Sequence, residues 1–198
     1  MSDDLVDEIE YMIDLLTKSG FFSADEVLEI LEDQFIEEDV DFSKFDISLN
    51  NNNNHNFDRL EETFKKLAEK SIVAVHNCGY DFREGVDDIF ELYVHLINNK
   101  YQTQGFCFYT FEDVEEAIND EILKITFGDF QKDENKSLEI GKIVYSQLLD
   151  SGFDVDWNES VNSQIEIQNF KWDKRFDDEK EYELEGAYDL FVGVKNED

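Results

Sequence analysis

The 198-residue chain contains no proline, only two cysteines and no long apolar run. Without proline there is no proline-rich linker to divide the chain, and two cysteines are too few for a disulfide framework. No apolar run approaches the roughly 20 residues that a membrane-spanning helix needs. The first residues, MSDDLVDEIE, carry acids where a signal peptide carries bases and an apolar segment. These absences predict a cytoplasmic protein with reduced thiols.

Basic residues are also scarce, because 17 Lys and Arg stand against 50 Asp and Glu and give a net charge of -33. A chain with this charge repels the phosphates of nucleic acids and anionic membranes, and it attracts basic surfaces. We therefore expect no direct nucleic-acid binding and no membrane binding, and we expect any protein partner to be basic. The alternative is that the charge serves solubility alone, since composition by itself identifies no partner.

Residues 1–49 are predicted to form an acidic helical hairpin. Ser23 and Glu26 have the S-x-x-E spacing of a capping box, which marks the start of the second helix. Residues 1 to 46 contain 16 acids and 2 bases, a net charge of -14. Four acids of the second helix and its exit are predicted to contact the partner, with a merely solvated face as the alternative: Glu29, Glu32, Asp33 and Glu37.

The rest of the chain is predicted to form an α+β (α/β-like) fold. Residues 50–56, NNNNNHN, indicate a flexible loop, and an α/β domain follows over 57–175, with a leading helix over 57–70. Residues 176–198 are predicted to be an acidic C-terminal tail. From residue 71 the order β-α-β-α-β-α-β-β favours one mixed sheet of about five strands with helices packed on it.

The stretch from Gly105 to Gly128 is central to this prediction, because it has the pattern of a strand, a short helix and a second strand. If the two strands are parallel, the stretch is a right-handed crossover. The helix is short for a crossover, so an antiparallel pair is the alternative.

Several short motifs occur in one order along the second half of the chain: Cys78-Gly79, CFYTFED (107–113), LKITFGDF (123–130), SGFDVDW (151–157) and FKWDKR (170–175). Together they resemble an uncharacterised bacterial family, the domain of unknown function DUF6891, over roughly residues 71–175. The resemblance implies the domain limits and a small α/β fold, and it implies no activity. Members of that family often carry two cysteines just before the Cys-Gly, where this chain has Ala74 and Val75, so the resemblance supports no shared zinc or redox site here.

Outside the Asn-rich loop, which contains His55, the usual soft-metal ligands are His76, Cys78, His95 and Cys107. They lack the spacings of known zinc motifs, so we expect no metal and no cofactor. His76 and Cys78 lie two residues apart, which would place them on one face of a strand and permits a thiol nucleophile with a histidine base.

Carboxylates provide the enzymatic alternative, because Asp113, Asp129 and Asp154 lie near predicted strand ends, where α/β sites usually occur. A metal-assisted hydrolase could use them, with Arg175 holding a carboxylate or phosphate. The leading hypothesis is instead a non-catalytic binding or inhibitor protein, similar to an immunity protein or a nucleic-acid mimic. Its partner-binding residues would be the four hairpin acids together with Trp172 and Arg175. A cleft with convergent acids would favour the enzyme, and an acidic surface with exposed aromatics would favour the binding protein.

Overall fold

The computed structural model describes residues 2–49 and 55–197, which divide into two compact units. The first unit holds the described residues up to Phe57 together with Trp172–Glu179. The second holds Asp58–Lys171 together with the described residues from Lys180 onward. Of the loop predicted over 50–56, residues 50–54 lie outside the described part of the chain, and Asn56 begins a helix.

The first unit is built on two helices, α1 (Asp3–Ser19) and α2 (Ala24–Gln34), which pack against each other. Gly20 ends α1 with φ of 70°, a left-handed conformation that glycine adopts without steric strain. The predicted capping box of α2 is confirmed, because the Glu26 N–H donates to Ser23 Oγ and the Ser23 N–H donates to Glu26 Oε2. A short 3-10 helix, Phe42–Lys44, follows, and α3 (Asn56–Glu69) begins at the end of this unit.

The second unit contains a five-stranded mixed sheet, which confirms the predicted fold class. Its strands have the spatial order β1-β2-β3-β5-β4. Strands β1 and β2 are parallel, and every other neighbouring pair is antiparallel. The five strands are β1 (Ile72–Val75), β2 (Gly105–Phe108), β3 (Leu123–Gly128), β4 (Asp154–Asp156) and β5 (Ile165–Gln168).

In the stretch from Gly105 to Gly128, the two strands are antiparallel, which was the alternative to a parallel crossover. Helix α5 (Phe111–Asp120) connects β2 to β3, and Phe106 pairs with Gly128 across the two strands. Glu121 ends α5 with φ of 58°, and the chain then returns along β2 instead of crossing over to run parallel with it. The opposite directions of β2 and β3 decide where the residues that follow each strand are placed.

Three more helices complete the second unit: α4 (Phe82–Asn98), α6 (Glu134–Asp150) and α7 (Leu184–Glu197). Helix α6 packs on β2, β3 and β4, whereas α7 packs on β1 and α4. The hydrophobic core of this unit includes Val73 and Val75 of β1, Ile89 of α4, and Phe106 and Phe108 of β2.

Residues 176–198, predicted as an acidic tail, therefore contain a core helix. Ala187, Phe191 and Val194 of α7 are spaced four and three apart, so they share one side of the helix, and all three are buried in the core. Two glycines, Gly186 and Gly193, together with the nearby acids Glu185 and Asp189, obscure the helical pattern of this segment in the sequence.

Candidate functional site

The four hairpin acids predicted to contact a partner are exposed. Glu32 and Asp33 lie three and four residues after Glu29, so both are on the same side of α2 as Glu29. Glu37 lies in the turn that follows the helix, next to Ile36, whose side chain is 76% exposed. We call these five residues the α2 acidic face. In sequence, Ile36 follows buried Phe35 and precedes Glu37, so an exposed apolar residue is included in this acidic group.

The charge of the α2 acidic face is not balanced locally. The two lysines of the hairpin are already paired, Lys18 with Asp14 at 2.7 Å and Lys44 with Asp41 at 3.2 Å. Among the described residues, no ion pair joins Glu29, Glu32, Asp33 or Glu37 to a base. The last turn of α2 contains acids and no base, although the helix macrodipole favours positive charge there by about 0.3–1 kcal/mol per group.

Trp172, predicted as a partner contact, is an interior residue with 7% of its surface exposed. Its indole Nε1 donates a hydrogen bond to the Ser19 carbonyl at 3.0 Å. Its ring packs against Phe21 and Phe57 with centroid distances of 6.0 and 5.7 Å. Trp172 therefore offers little surface to a partner, whereas Arg175 is exposed.

Asp173 and Lys174, the two residues after Trp172, also have structural roles. The Asp173 carboxylate accepts hydrogen bonds of 2.8 to 2.9 Å from three backbone N–H groups at the start of α3, those of His55, Asn56 and Phe57. These groups have no intrahelical acceptor, and a carboxylate suits the positive end of the helix. Buried Lys174 donates to the Gly20 carbonyl. The segment 172–174 thus joins the end of α1 to the beginning of α3.

The candidate catalytic carboxylates have separate structural roles. Asp113 is buried at the start of α5 and accepts hydrogen bonds from the Thr110 N–H and hydroxyl at 2.8 and 2.9 Å. Burial raises the pKa of Asp113, and the hydrogen bonds from Thr110 oppose that rise. Asp129 accepts from the N–H groups of Gln131 and Asp133 in a turn. Asp154 is exposed.

Antiparallel pairing keeps two of these carboxylates apart. Asp113 follows β2 and Asp129 follows β3, and since the strands run in opposite directions, their carboxyl ends lie at opposite edges of the sheet. A metal-assisted hydrolase would need such groups to converge on one ion. Within residues 2–49 and 55–197, no three His, Cys, Asp or Glu side chains are grouped so that they could hold a metal.

His76 and Cys78 do not form the nucleophile and base pair that their spacing permits. Strand β1 ends at Val75 and Asn77 has φ of 49°, so the alternation of a strand does not continue through these residues. His76 Nδ1 lies 2.9 Å from the Tyr109 hydroxyl, whereas the Cys78 thiol donates to the Gly85 carbonyl at 3.4 Å. Burial, with a smaller effect from Asp88, raises the pKa of Cys78, so the nucleophilic thiolate is disfavoured.

Sequence reasoning missed the most exposed aromatic side chains of the second unit. Tyr80 and Phe82 are 55% and 60% exposed where the chain enters α4. The signal was present in the sequence: two aromatic residues flank Asp81, the N-cap of α4, directly after the turn at Gly79. Polar residues are the usual occupants of such a turn.

Comparison with protein families gives a match that covers residues 2–176 of the 198 in the chain. The matching family is described as a domain of unknown function, DUF6891. The chain belongs to the DUF6891 family. Searches of curated proteins and of solved structures returned no match.

The DUF6891 match extends beyond the predicted range of 71–175. It includes both helices of the hairpin and α3, so the α2 acidic face lies inside the family domain. Helix α7 begins at Leu184, after the matched range ends. Among the described residues of this DUF6891 member, the helices are too short or too polar to cross a lipid bilayer.

Proposed function

We propose that this protein is a non-catalytic binding or inhibitor protein whose α2 acidic face engages a basic protein partner. The observation that carries the proposal is the exposed group of Glu29, Glu32, Asp33 and Glu37, which no described base neutralises. Acids at the carboxyl end of a helix oppose the macrodipole, so their placement costs stability. A partner that supplies cations there would relieve this repulsion on binding.

Charge and packing would contribute to different steps of this association. The net charge of -33 steers a basic partner toward the protein and raises the rate of encounter. Exposed Ile36 provides apolar area that a partner can bury after encounter. An inhibitor of this kind, whether it resembles an immunity protein or a nucleic-acid mimic, would cover a basic active site with its acidic face.

The proposal is tested with two variants that lose the same number of charges. The first neutralises the face by Glu29→Gln, Glu32→Gln, Asp33→Asn and Glu37→Gln. The control neutralises four exposed acids of the second unit by Asp120→Asn, Glu134→Gln, Glu139→Gln and Asp150→Asn. Wild type and both variants serve as baits for affinity capture from the source cells, and the captured basic protein is then used in association kinetics.

We expect wild type and the control variant to capture the same basic protein and the first variant to capture little of it. At low salt the first variant should associate about ten-fold more slowly, and the difference should shrink as the Debye length falls from about 10 Å at 0.1 M to about 3 Å at 1 M. Equal association rates for the two variants would show that bulk charge, and not the α2 acidic face, controls binding. Capture of no basic protein by wild type would overturn the proposed function.

A further inference from the structure

A second exposed surface lies in the other unit, where the loop after β1 meets the start of α5. Tyr80 and Phe82 each leave more than half of their surface in solvent, although rings of this size are usually buried. Glu112 is exposed at the start of α5, and Glu84 is exposed in the first turn of α4. We call Tyr80, Phe82, Glu84 and Glu112, together with half-buried Glu115, the Tyr80 patch.

Backbone hydrogen bonds fix the geometry of the Tyr80 patch. The N–H groups of Phe111 and Glu112 donate to the carbonyls of Gly79 and Tyr80 at 3.1 and 3.0 Å, which joins the loop to α5. The Tyr80 N–H donates to Glu84 Oε2 at 2.9 Å. The Tyr80 ring stacks on Phe111 with a centroid distance of 6.0 Å and an interplanar angle of 24°. The ring is therefore held in place while much of it stays exposed, which lowers the entropy cost of binding.

The surroundings of this ring are strongly negative. Segments 79–88 and 109–116 contain eight acidic residues and a single base, Arg83. Partial burial and the neighbouring carboxylates, Glu115 and Glu112 first among them, raise the pKa of Tyr80. Glu84 Oε2 accepts from the Tyr80 N–H and the Glu112 N–H donates to the Tyr80 carbonyl, so acids from two helices are joined to the backbone of Tyr80.

We propose that the Tyr80 patch binds an arginine side chain presented by a basic partner protein. A guanidinium is planar, so it can stack on the exposed tyrosine ring and at the same time donate paired hydrogen bonds to a carboxylate. A lysine ammonium is a compact charge without that planar match. A second copy of this chain also carries a net charge of -33, so repulsion disfavours it as the occupant. The Tyr80 patch and the α2 acidic face have no residue in common, and the proposed arginine binding does not require the α2 acidic face.

The test uses two capped peptides of equal length and charge, one with arginine alternating with glycine and one with lysine in place of arginine. Binding to the full chain is followed by NMR titration at constant ionic strength. We expect tighter binding of the arginine peptide, with the largest shifts in the amides of residues 79–84 and 109–115. Tyr80→Ala should weaken arginine-peptide binding by about ten-fold and remove the preference over lysine.

Two further variants separate stacking from a general effect of mutation. Tyr80→Phe keeps the ring and should keep the preference. Val94→Ala removes exposed apolar surface (49% exposed) elsewhere on α4 and should change nothing. A variant without the α2 acids should also keep the arginine preference, because that preference arises in the Tyr80 patch.

Equal affinity of wild type for both peptides, or an arginine preference that survives Tyr80→Ala, would overturn the proposal. Concentration-dependent dimerisation that Tyr80→Ala abolishes would identify a second copy as the occupant.

Discussion

Nδ1 of His76 lies 2.9 Å from the hydroxyl oxygen of Tyr109, in the interior of the second unit. Val75 and Phe108 are paired in the parallel register of β1 and β2, so the residues that follow them emerge side by side at one edge of the sheet. Phe64 stacks on the imidazole with a centroid distance of 4.3 Å. The hydrogen bond therefore connects two strand ends inside an aromatic cluster.

Replacing Tyr109 by Phe should destabilise the protein by about 1–3 kcal/mol. The substitution keeps the ring but leaves a buried imidazole nitrogen without its hydroxyl partner, and an unsatisfied buried polar group carries the full desolvation cost. The measurement is urea unfolding followed by circular dichroism. Tyr11→Phe, at a tyrosine that is 44% exposed, is the control and should change stability by less than about 0.5 kcal/mol. Equal unfolding midpoints for wild type and Tyr109→Phe would contradict the prediction.

Asp113 should make stability depend on pH. Burial raises its pKa in the folded state above the ordinary value of 3.8, against hydrogen bonds from Thr110 that lower it. The folded protein then binds the proton more tightly than the unfolded chain. This contribution to stability is fully present below pH 3.8 and is lost as pH rises through the folded-state pKa.

Asp113→Asn removes this ionisation. As pH rises above about 4, the unfolding free energy of the variant should therefore increase relative to that of wild type. The measurement is the difference in unfolding free energy between the two proteins at several pH values on the alkaline side of the isoelectric point of about 4.1. Glu112→Gln, at an exposed neighbour, is the control for a change in net charge. If the difference in unfolding free energy between wild type and Asp113→Asn stays constant with pH, Asp113 has the same pKa in the folded and unfolded states, and the prediction is wrong.

Both thiols should be unreactive in the folded protein. Cys78 and Cys107 are buried, and burial raises the pKa of each, so little thiolate forms near pH 8. We expect a disulfide reagent such as DTNB to label neither cysteine at pH 8 without denaturant and to label both in urea. Rapid labelling of one thiol under native conditions, located by mass spectrometry, would count against this prediction and would reopen a role for that cysteine.

Neutralising the end of α2 should raise stability. Glu32 and Asp33 lie in its last turn, where negative charge opposes the macrodipole. The double variant Glu32→Gln and Asp33→Asn should unfold at higher urea concentration, with a gain of about 0.3–1 kcal/mol per group at low salt. Neutralising Asp25 in the first turn should have the opposite effect. A loss of stability in the double variant would show that these acids have favourable partners within the fold.

The order of elements and the fold class could be predicted from the sequence because both depend on local patterns. Alternating strands and helices from residue 71, together with the capping box of Ser23 and Glu26, were sufficient to predict a mixed sheet and the start of α2. Helix α7 was missed because two glycines and several acids obscure its helical pattern. The burial of Ala187, Phe191 and Val194 also depends on β1 and α4, which lie far away in sequence.

The candidate sites depended on information that local patterns do not contain. The sequence alone determined the net charge, the acidity of the hairpin and hence the expected charge of a partner, because these properties follow from composition. Only the tertiary structure decided that Trp172 is buried against Ser19 and that Asp113 and Asp129 belong to opposite edges of the sheet. It also decided that Tyr80 and Phe82 remain exposed. Burial and strand direction arise from contacts between distant parts of the chain, so residue type and spacing could not assign them.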